Sequence, residues 1–206
     1  LNFNGSDPIL EGCAFLLNHA SSDGGAVYND ASEPVSKNCE FVGNTASDEG
    51  GAVFNADPSS TSNIPIFEAC VFRGNIAAGD GGAMHNFSVS PVISKSEFLE
   101  NAASNGGAIY SWNSATPTMS ESVICGNTTN QIAGPFADQG GNVISDSCGP
   151  DCATDLDGDG TTGGADLGLV FVAWGSCPGC AADFNGDGLV NGKDLGIMFA
   201  AWGPCS

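Results

Sequence analysis

The stretch Phe41-Val-Gly-Asn44-Thr-Ala-Ser-Asp-Glu-Gly50-Gly51-Ala52-Val53 decides how most of the chain is read, because its landmarks keep returning. Phe15, Phe41, Phe72, Phe98 and Ile124 hold its first position at intervals of 26, 31, 26 and 26 residues. Asn18, Asn44, Asn75, Asn101 and Asn127 follow each of them by three positions. Gly-Gly-Ala recurs at Gly24, Gly50, Gly81 and Gly106, with a degraded copy at Gly140-Gly141-Asn142. Pro8, Pro34, Pro65, Pro91 and Pro117 share the period, and the one long interval reflects five extra residues between Asp57 and Asn63. A period near 26 with glycine corners and single apolar anchors predicts a solenoid, since one such unit cannot bury its own apolar positions and must stack on its neighbours.

Scarce helix formers and abundant Gly, Asn and Ser point to short strands and turns, so the expected fold class over residues 1–148 is mainly β, a parallel β-helix of about five coils. At the strand spacing of about 4.8 Å, equivalent side chains become ladders. The expected ladders are Phe15/Phe41/Phe72/Phe98, Ile9/Val35/Ile66/Val92 and Val27/Val53/Met84/Ile109. The asparagines should stack at a turn, each amide bonding to the next. Gly-Gly should supply either positive φ angles or close backbone approach. Cys13, Cys39 and Cys70 share a column with Ser96 and Ser122 and read as small buried residues.

Phe-x-x-Asn alternating with Gly-Gly-Ala-[Val/Met/Ile] resembles the repeats of the chlamydial polymorphic outer-membrane proteins, over roughly residues 3–145. That resemblance implies a right-handed β-helix exposed at a bacterial surface, with adhesin-like roles.

Residues 149–206 read differently. Asp155-Leu-Asp157-Gly-Asp159-Gly160 leads to Asp166, and Asp183-Phe-Asn185-Gly-Asp187-Gly188 leads to Asp194. Calcium takes six to eight oxygen ligands, and alternate residues of a tight loop can supply them. The expected ligands of two Ca2+ ions are Asp155, Asp157, Asp159, Thr161 (by its carbonyl) and Asp166 in the first loop. In the second they are Asp183, Asn185, Asp187, Leu189 (by its carbonyl), Asn191 and Asp194. Each loop runs into an apolar stretch ending Ala-Trp-Gly, Leu167 to Trp174 and Leu195 to Trp202, so a small α-helical, two-loop calcium-binding domain is expected. A loop and exiting helix in duplicate resembles the type I dockerin module, which implies docking to a cohesin-like protein partner. The helices are apolar all round, which predicts a patch left for a partner or another surface.

Nine cysteines suit an oxidising, extracellular setting. The expected pairs are Cys152–Cys177 and Cys180–Cys205, each closing one loop-helix unit, with Cys125–Cys148 at the solenoid end; Cys152–Cys205 with Cys177–Cys180 is the alternative. A net charge of −20 makes nucleic acid and anionic membranes poor candidates as partners. No apolar run reaches the length of a transmembrane helix. Leu1 falls inside a repeat, so a mature product or a fragment is expected. Sequons stand at Asn4, Asn86 and Asn127.

Many parallel β-helices act on polysaccharides, but Lys37, Arg73 and Lys95 share no column. His85 stands where Tyr28, Phe54 and Tyr110 stand in other repeats and reads as an aromatic substitute. The chain is therefore expected to be a non-enzyme: a surface or adhesion protein, or a head-to-tail homopolymer subunit whose open first coil, with no polar cap in residues 1–8, templates a filament. A glycan-active enzyme carried by a dockerin is the alternative, and a glycan stays open as a partner.

Overall fold

The computed structural model describes residues 2–3, 5–57, 63–148, 153–157 and 159–204. The chain divides into two compact units, Leu1–Cys148 and Gly149–Ser206.

Unit one is built from short strands arranged in parallel sheets. Three sheets hold six strands each, and in every one the hydrogen-bonded neighbour of a strand comes from an adjacent repeat. The first runs through Val27–Asp30, Val53–Ala56, Met84–Phe87 and Ile109–Trp112; the second through Ile9–Glu11, Val35–Lys37, Ile66–Glu68 and Val92–Ser94; the third through Ala14–Leu16, Glu40–Val42, Val71–Arg73 and Glu97–Leu99. This is the architecture of a parallel β-helix: each repeat visits every sheet once and then climbs to the next level.

The register makes the expected columns real. Phe15, Phe41, Phe72 and Phe98 stack nearly face to face with ring centroids 4.8, 4.7 and 4.6 Å apart, and the last three are fully buried. Val27, Val53, Met84 and Ile109 align and form a second buried column. The third expected column is aligned but faces the wrong way: Ile9 is 73% exposed and Val92 36%. The core is lined instead by the next residue along, with Ser36, Phe67, Ile93 and Met119 buried and Leu10 packed against them. Side chains alternate across a strand, so a shift of one residue turns the whole column to solvent.

Asn44, Asn75 and Asn101 each use their full hydrogen-bonding capacity. Asn75 Nδ2 donates to Asn101 Oδ1 and to Phe41 O, while its Oδ1 accepts from the backbone N and the Nδ2 of Asn44. Gln131 Oε1 takes the place of a further asparagine at the end of the ladder by accepting from Asn127. A second amide ladder, Asn2, Asn29, Asn55 and Asn86, runs through the first sheet with Nδ2-to-Oδ1 distances of 2.7, 2.8 and 2.9 Å. Its signal, an Asn two residues after each Val or Met of that column, was open to reading in the repeat. Asn86 and Asn127 are buried in these ladders, so neither sequon presents its amide to a modifying enzyme in the folded chain; Asn4 lies outside the described residues.

The two glycines of each Gly-Gly-Ala divide the two expected roles between them. Gly24, Gly50, Gly81 and Gly106 have φ of 63°, 65°, 72° and 59°, the left-handed region that favours glycine. Gly51, the second of its pair, sits where a Cβ would meet Gly82 O at 2.1 Å and the Ile76 backbone at 2.6 Å. Backbones of adjacent levels therefore touch there, and a side chain has no room.

The cysteine column behaves as small core residues. Cys39 and Cys70 are buried and free, and Cys70 Sγ donates to Ser36 O and Glu68 O. Cys125–Cys148 forms a disulfide, as expected.

Unit two contains two helices, α1 (Gly164–Val172) and α2 (Gly192–Ala200). Two small antiparallel pairings cross-link them: Thr161–Thr162 with Gly203–Pro204, and Gly175–Ser176 with Leu189–Val190. The exit of each helix is thereby pinned to the loop before the other. Val170, Ala182, Val190 and Met198 form the small core.

The expected pairs Cys152–Cys177 and Cys180–Cys205 are not formed: Cys177 is bonded to Cys180. The intervening Pro178-Gly179 makes a tight turn, with Gly179 at φ 76° and Cys180 N donating to Cys177 O, which brings the two Cα atoms to 5.6 Å. Cys152 and Cys205 lie outside the described residues. No helix among the described residues is long and apolar enough to cross a membrane.

Candidate metal centre

Each acidic loop of unit two is folded by its own carboxylates before any ion is considered. In the first, Asp155 Oδ2 accepts from Gly160 N at 2.8 Å, Asp157 Oδ1 from Asp159 N at 3.1 Å, and Asp159 Oδ1 from Thr161 N at 2.8 Å. The second repeats the pattern: Asp183 Oδ2 accepts from Gly188 N at 2.8 Å, Asn185 Oδ1 from Asp187 N at 2.9 Å, and Asp187 Oδ1 from Leu189 N at 3.1 Å. Gly160 and Gly188, at φ 86° and 83°, permit the turn that aims these amides inward.

The last carboxylate of each loop is set by the start of the helix. Asp166 Oδ2 accepts from Gly163 N at 2.7 Å and Asp194 Oδ2 from Asn191 N at 2.8 Å, the backward reach of a capping box. Their other oxygens accept from loop amides, Leu156 N and Asp157 N in one case and Asn185 N in the other. Both aspartates are buried, at 1% and 0% exposure. For Asp166, burial would raise the pKa, but the amides of Gly163, Asp157 and Leu156 outweigh it and hold the group below its ordinary value.

Carboxylate oxygens of Asp155, Asp157 and Asp159 all lie within 4.8 Å of one another. A hydrogen bond from the Asp159 amide lowers the Asp157 pKa, yet burial and the charges of Asp159, Asp166 and Asp155 prevail and hold it above the ordinary value. Such a set of hard oxygens, gathered against its own repulsion, has the donor chemistry that suits Ca2+. The second loop differs in one respect. Lys193 Nζ lies 2.9 Å from Asp187 Oδ2, so part of its negative charge is internally compensated.

The other expected ligands are distributed unequally. Thr161 and Leu189 lie in the small antiparallel strands. Thr161 Oγ1 donates to Asp159 Oδ1. The Leu189 carbonyl accepts from Asn191 Nδ2 at 3.2 Å. Asn191 Oδ1 accepts from Lys193 N at 2.9 Å, so this side chain caps α2 while its Nδ2 reaches back to the loop carbonyl.

Beyond the loops, α1 and α2 expose the same pattern of apolar groups. Phe171 and Trp174 contact each other at 5.7 Å and are 55% and 48% exposed; Phe199 and Trp202 do so at 5.6 Å and are 54% and 48% exposed. The same exposed aromatic pair is thus presented twice.

A constellation in unit one was missed from sequence. His85 does occupy an aromatic column, 5.1 Å from Phe54 and 5.0 Å from Tyr110. Its Nδ1 also lies 3.1 Å from Glu49 Oε2. The signal was a column of acids immediately before Gly-Gly: Asp23, Glu49 and Asp80.

A family model described as the Chlamydia polymorphic membrane protein repeat matches residues 38–56 and 95–111. Each stretch runs from Phe-x-x-Asn into Gly-Gly-Ala, at Phe41 to Ala52 and Phe98 to Ala108. No curated protein and no solved structure matches the chain. Unit one is thus a repeat protein whose coils are similar to those of the Chlamydia polymorphic membrane proteins.

Proposed function

We propose that the chain is a secreted, non-enzymatic structural protein of a bacterial surface, a β-helix stalk with a calcium-dependent docking tail. Asp155, Asp157, Asp159, Asp166 and the Thr161 carbonyl would hold one Ca2+; Asp183, Asn185, Asp187, Asp194, the Leu189 carbonyl and Asn191, directly or through water, would hold the second. Bound calcium would supply the positive charge that relieves the mutual repulsion of these groups. The tail would then present Phe171, Trp174, Phe199 and Trp202 as a fixed apolar surface to a protein partner or to another copy of the chain.

The observation that carries this reading is the convergence of three carboxylates within 4.8 Å in a loop whose shape is set by its own backbone amides. Repetition of the loop, and of the exposed Phe and Trp at the end of each helix, supports a dedicated docking surface. The similarity of unit one to polymorphic membrane protein repeats supports placement at a cell surface.

The test is calorimetric titration of calcium, followed by sedimentation and electron microscopy in calcium and in EDTA. Two sites whose filling drives reversible association, as filaments or larger particles, support the self-docking form. A calcium-loaded monomer sends docking to a separate partner, and absence of calcium binding overturns the reading.

A further inference from the structure

The outer face of the first sheet, in unit one, carries a column of aromatic rings flanked by acidic residues. Val53 and Asn55 point inward and are fully buried, so Phe54 between them points outward, and Tyr28, His85 and Tyr110 do the same in neighbouring levels. These rings follow one another at 5.0, 5.1 and 5.0 Å. The turn before each Gly-Gly places Asp23, Glu49 and Asp80 along the side of this column.

Two recesses result. One, of about 310 Å³, is lined by Glu49, Asp80, His85, Phe87, Tyr110 and Trp112. The other, of about 340 Å³, is lined by Tyr28, Asp30, Glu49, Phe54, Ala56 and Phe87. They share Glu49 and Phe87 and so adjoin. Among the described residues, no Lys or Arg lines either one. The single basic group, His85, is 2% exposed, and burial pushes its pKa down to about 4, so it is neutral near pH 7. Although His85 Nδ1 is close to Glu49, neither ring nitrogen makes an aligned hydrogen bond. The cleft therefore holds acidic groups without a cation, among them Asp80 and Glu49, the latter with its pKa raised to about 7 by burial and by Asp23, Asp48 and Asp80, beside a buried, incompletely satisfied polar ring.

We propose that this cleft binds a substituted ammonium group, seated on the aromatic faces of Tyr110, Trp112 and Phe87 and paired with Glu49 and Asp80. Aromatic faces are negative and attract such cations, most strongly where water is excluded. A bare divalent ion fits poorly: the aromatic walls offer it at most the phenol oxygens of Tyr28 and Tyr110, and among the described residues the carboxylates that converge closely enough are those of the first tail loop, not these. A neutral sugar would leave the carboxylates uncompensated and would find Phe54 and His85 already covered, at 7% and 2% exposure.

The experiment titrates the full chain, at saturating calcium, constant ionic strength and a pH of about 8.5 at which Glu49 is ionised, with choline and with its neutral carbon isostere 3,3-dimethyl-1-butanol. Choline is expected to bind saturably, and the isostere not to. Binding should weaken roughly tenfold in Glu49→Gln and roughly fivefold in Trp112→Ala, variants at a turn and at a largely exposed position. Circular dichroism of both confirms that the fold is retained. Equal binding of the isostere, a non-saturating choline response, or unchanged affinity in both variants would overturn the proposal.

Discussion

Asn44 and Asn75, separated by 31 residues in the chain, share a hydrogen bond of 2.9 Å from Nδ2 to Oδ1, and a second of 2.9 Å from the Asn44 backbone N to the same oxygen. Replacing Asn75 by Ala strips partners from Asn44 N, Asn44 Nδ2, Phe41 O and Asn101 Oδ1, all within a buried column. Leaving buried polar groups unmatched costs about 1–3 kcal/mol apiece before relaxation. Asn75→Ala should lower stability in urea by at least about 3 kcal/mol, and Asn18→Ala, at an exposed rung, by under about 1 kcal/mol. Equal midpoints for the two variants would show that the ladder carries little stability.

Gly51 and Gly74 should respond in opposite ways to alanine. At Gly51 the added methyl collides with the backbone of the next level, so Gly51→Ala should prevent folding of the central coils. Gly74, at φ 61° with nothing within 4 Å, should lose only about 1 kcal/mol. Thermal melts of the two proteins decide this.

The Glu49–His85 pair should shape stability against pH. Burial, together with the charges of Asp23, Asp48 and Asp80, raises Glu49 to about 7. The folded state therefore holds the Glu49 proton more tightly than the unfolded state, and stability falls as pH rises from about 4.5 to 7. His85 is depressed to about 4 by burial, with Asp80, Asp23 and Asp48 opposing, so its term rises between about 4 and 6.5. The two oppose each other over their shared range. Relative to wild type, Glu49→Gln should tilt the stability profile upward with pH, and His85→Asn should tilt it downward. Parallel profiles from urea titrations at several pH values would refute the coupling.

Thiol chemistry separates the cysteines. In the native protein Cys39 and Cys70 should resist alkylation, since both are fully buried and burial pushes Cys70 up to about 11. Cys13, half-buried, should react first. Non-reducing peptide maps should recover Cys125 with Cys148 and Cys177 with Cys180. Rapid labelling of Cys70 in native buffer would contradict its placement.

For the tail, Asp155→Asn with Asp157→Asn should remove one of two calcium-binding events seen by calorimetry, and Asp183→Asn with Asp187→Asn the other. The second pair also removes the Lys193–Asp187 ion pair, whereas the first relieves the repulsion among Asp155, Asp157 and Asp159, so the second should be the more damaging to apo stability. Identical calcium isotherms in both double variants and wild type would exclude these loops as the sites.

Stacking order was legible from the chain alone. A strict interval between Phe15, Phe41, Phe72 and Phe98 specifies which residues meet, since only one register superposes every landmark at once, and the asparagine ladder follows from it. The acidic loops were legible for a similar reason, because their carboxylates bond to amides two to five residues away. Which side of a strand faces inward was not legible in Ile9–Glu11 or Val92–Ser94: three residues are too few for alternation to show, and both Ile9 and Leu10 are apolar. Pairing of Cys177 was decided by a local turn in competition with distant partners, a choice that spacing leaves open. Glu49 and His85 met only because the coil returned them to one place, 36 positions apart in the chain, where burial altered the protonation of both. Period and local chemistry belong to the sequence; facing and the electrostatics of the cleft arise when the coils close around a core that excludes water.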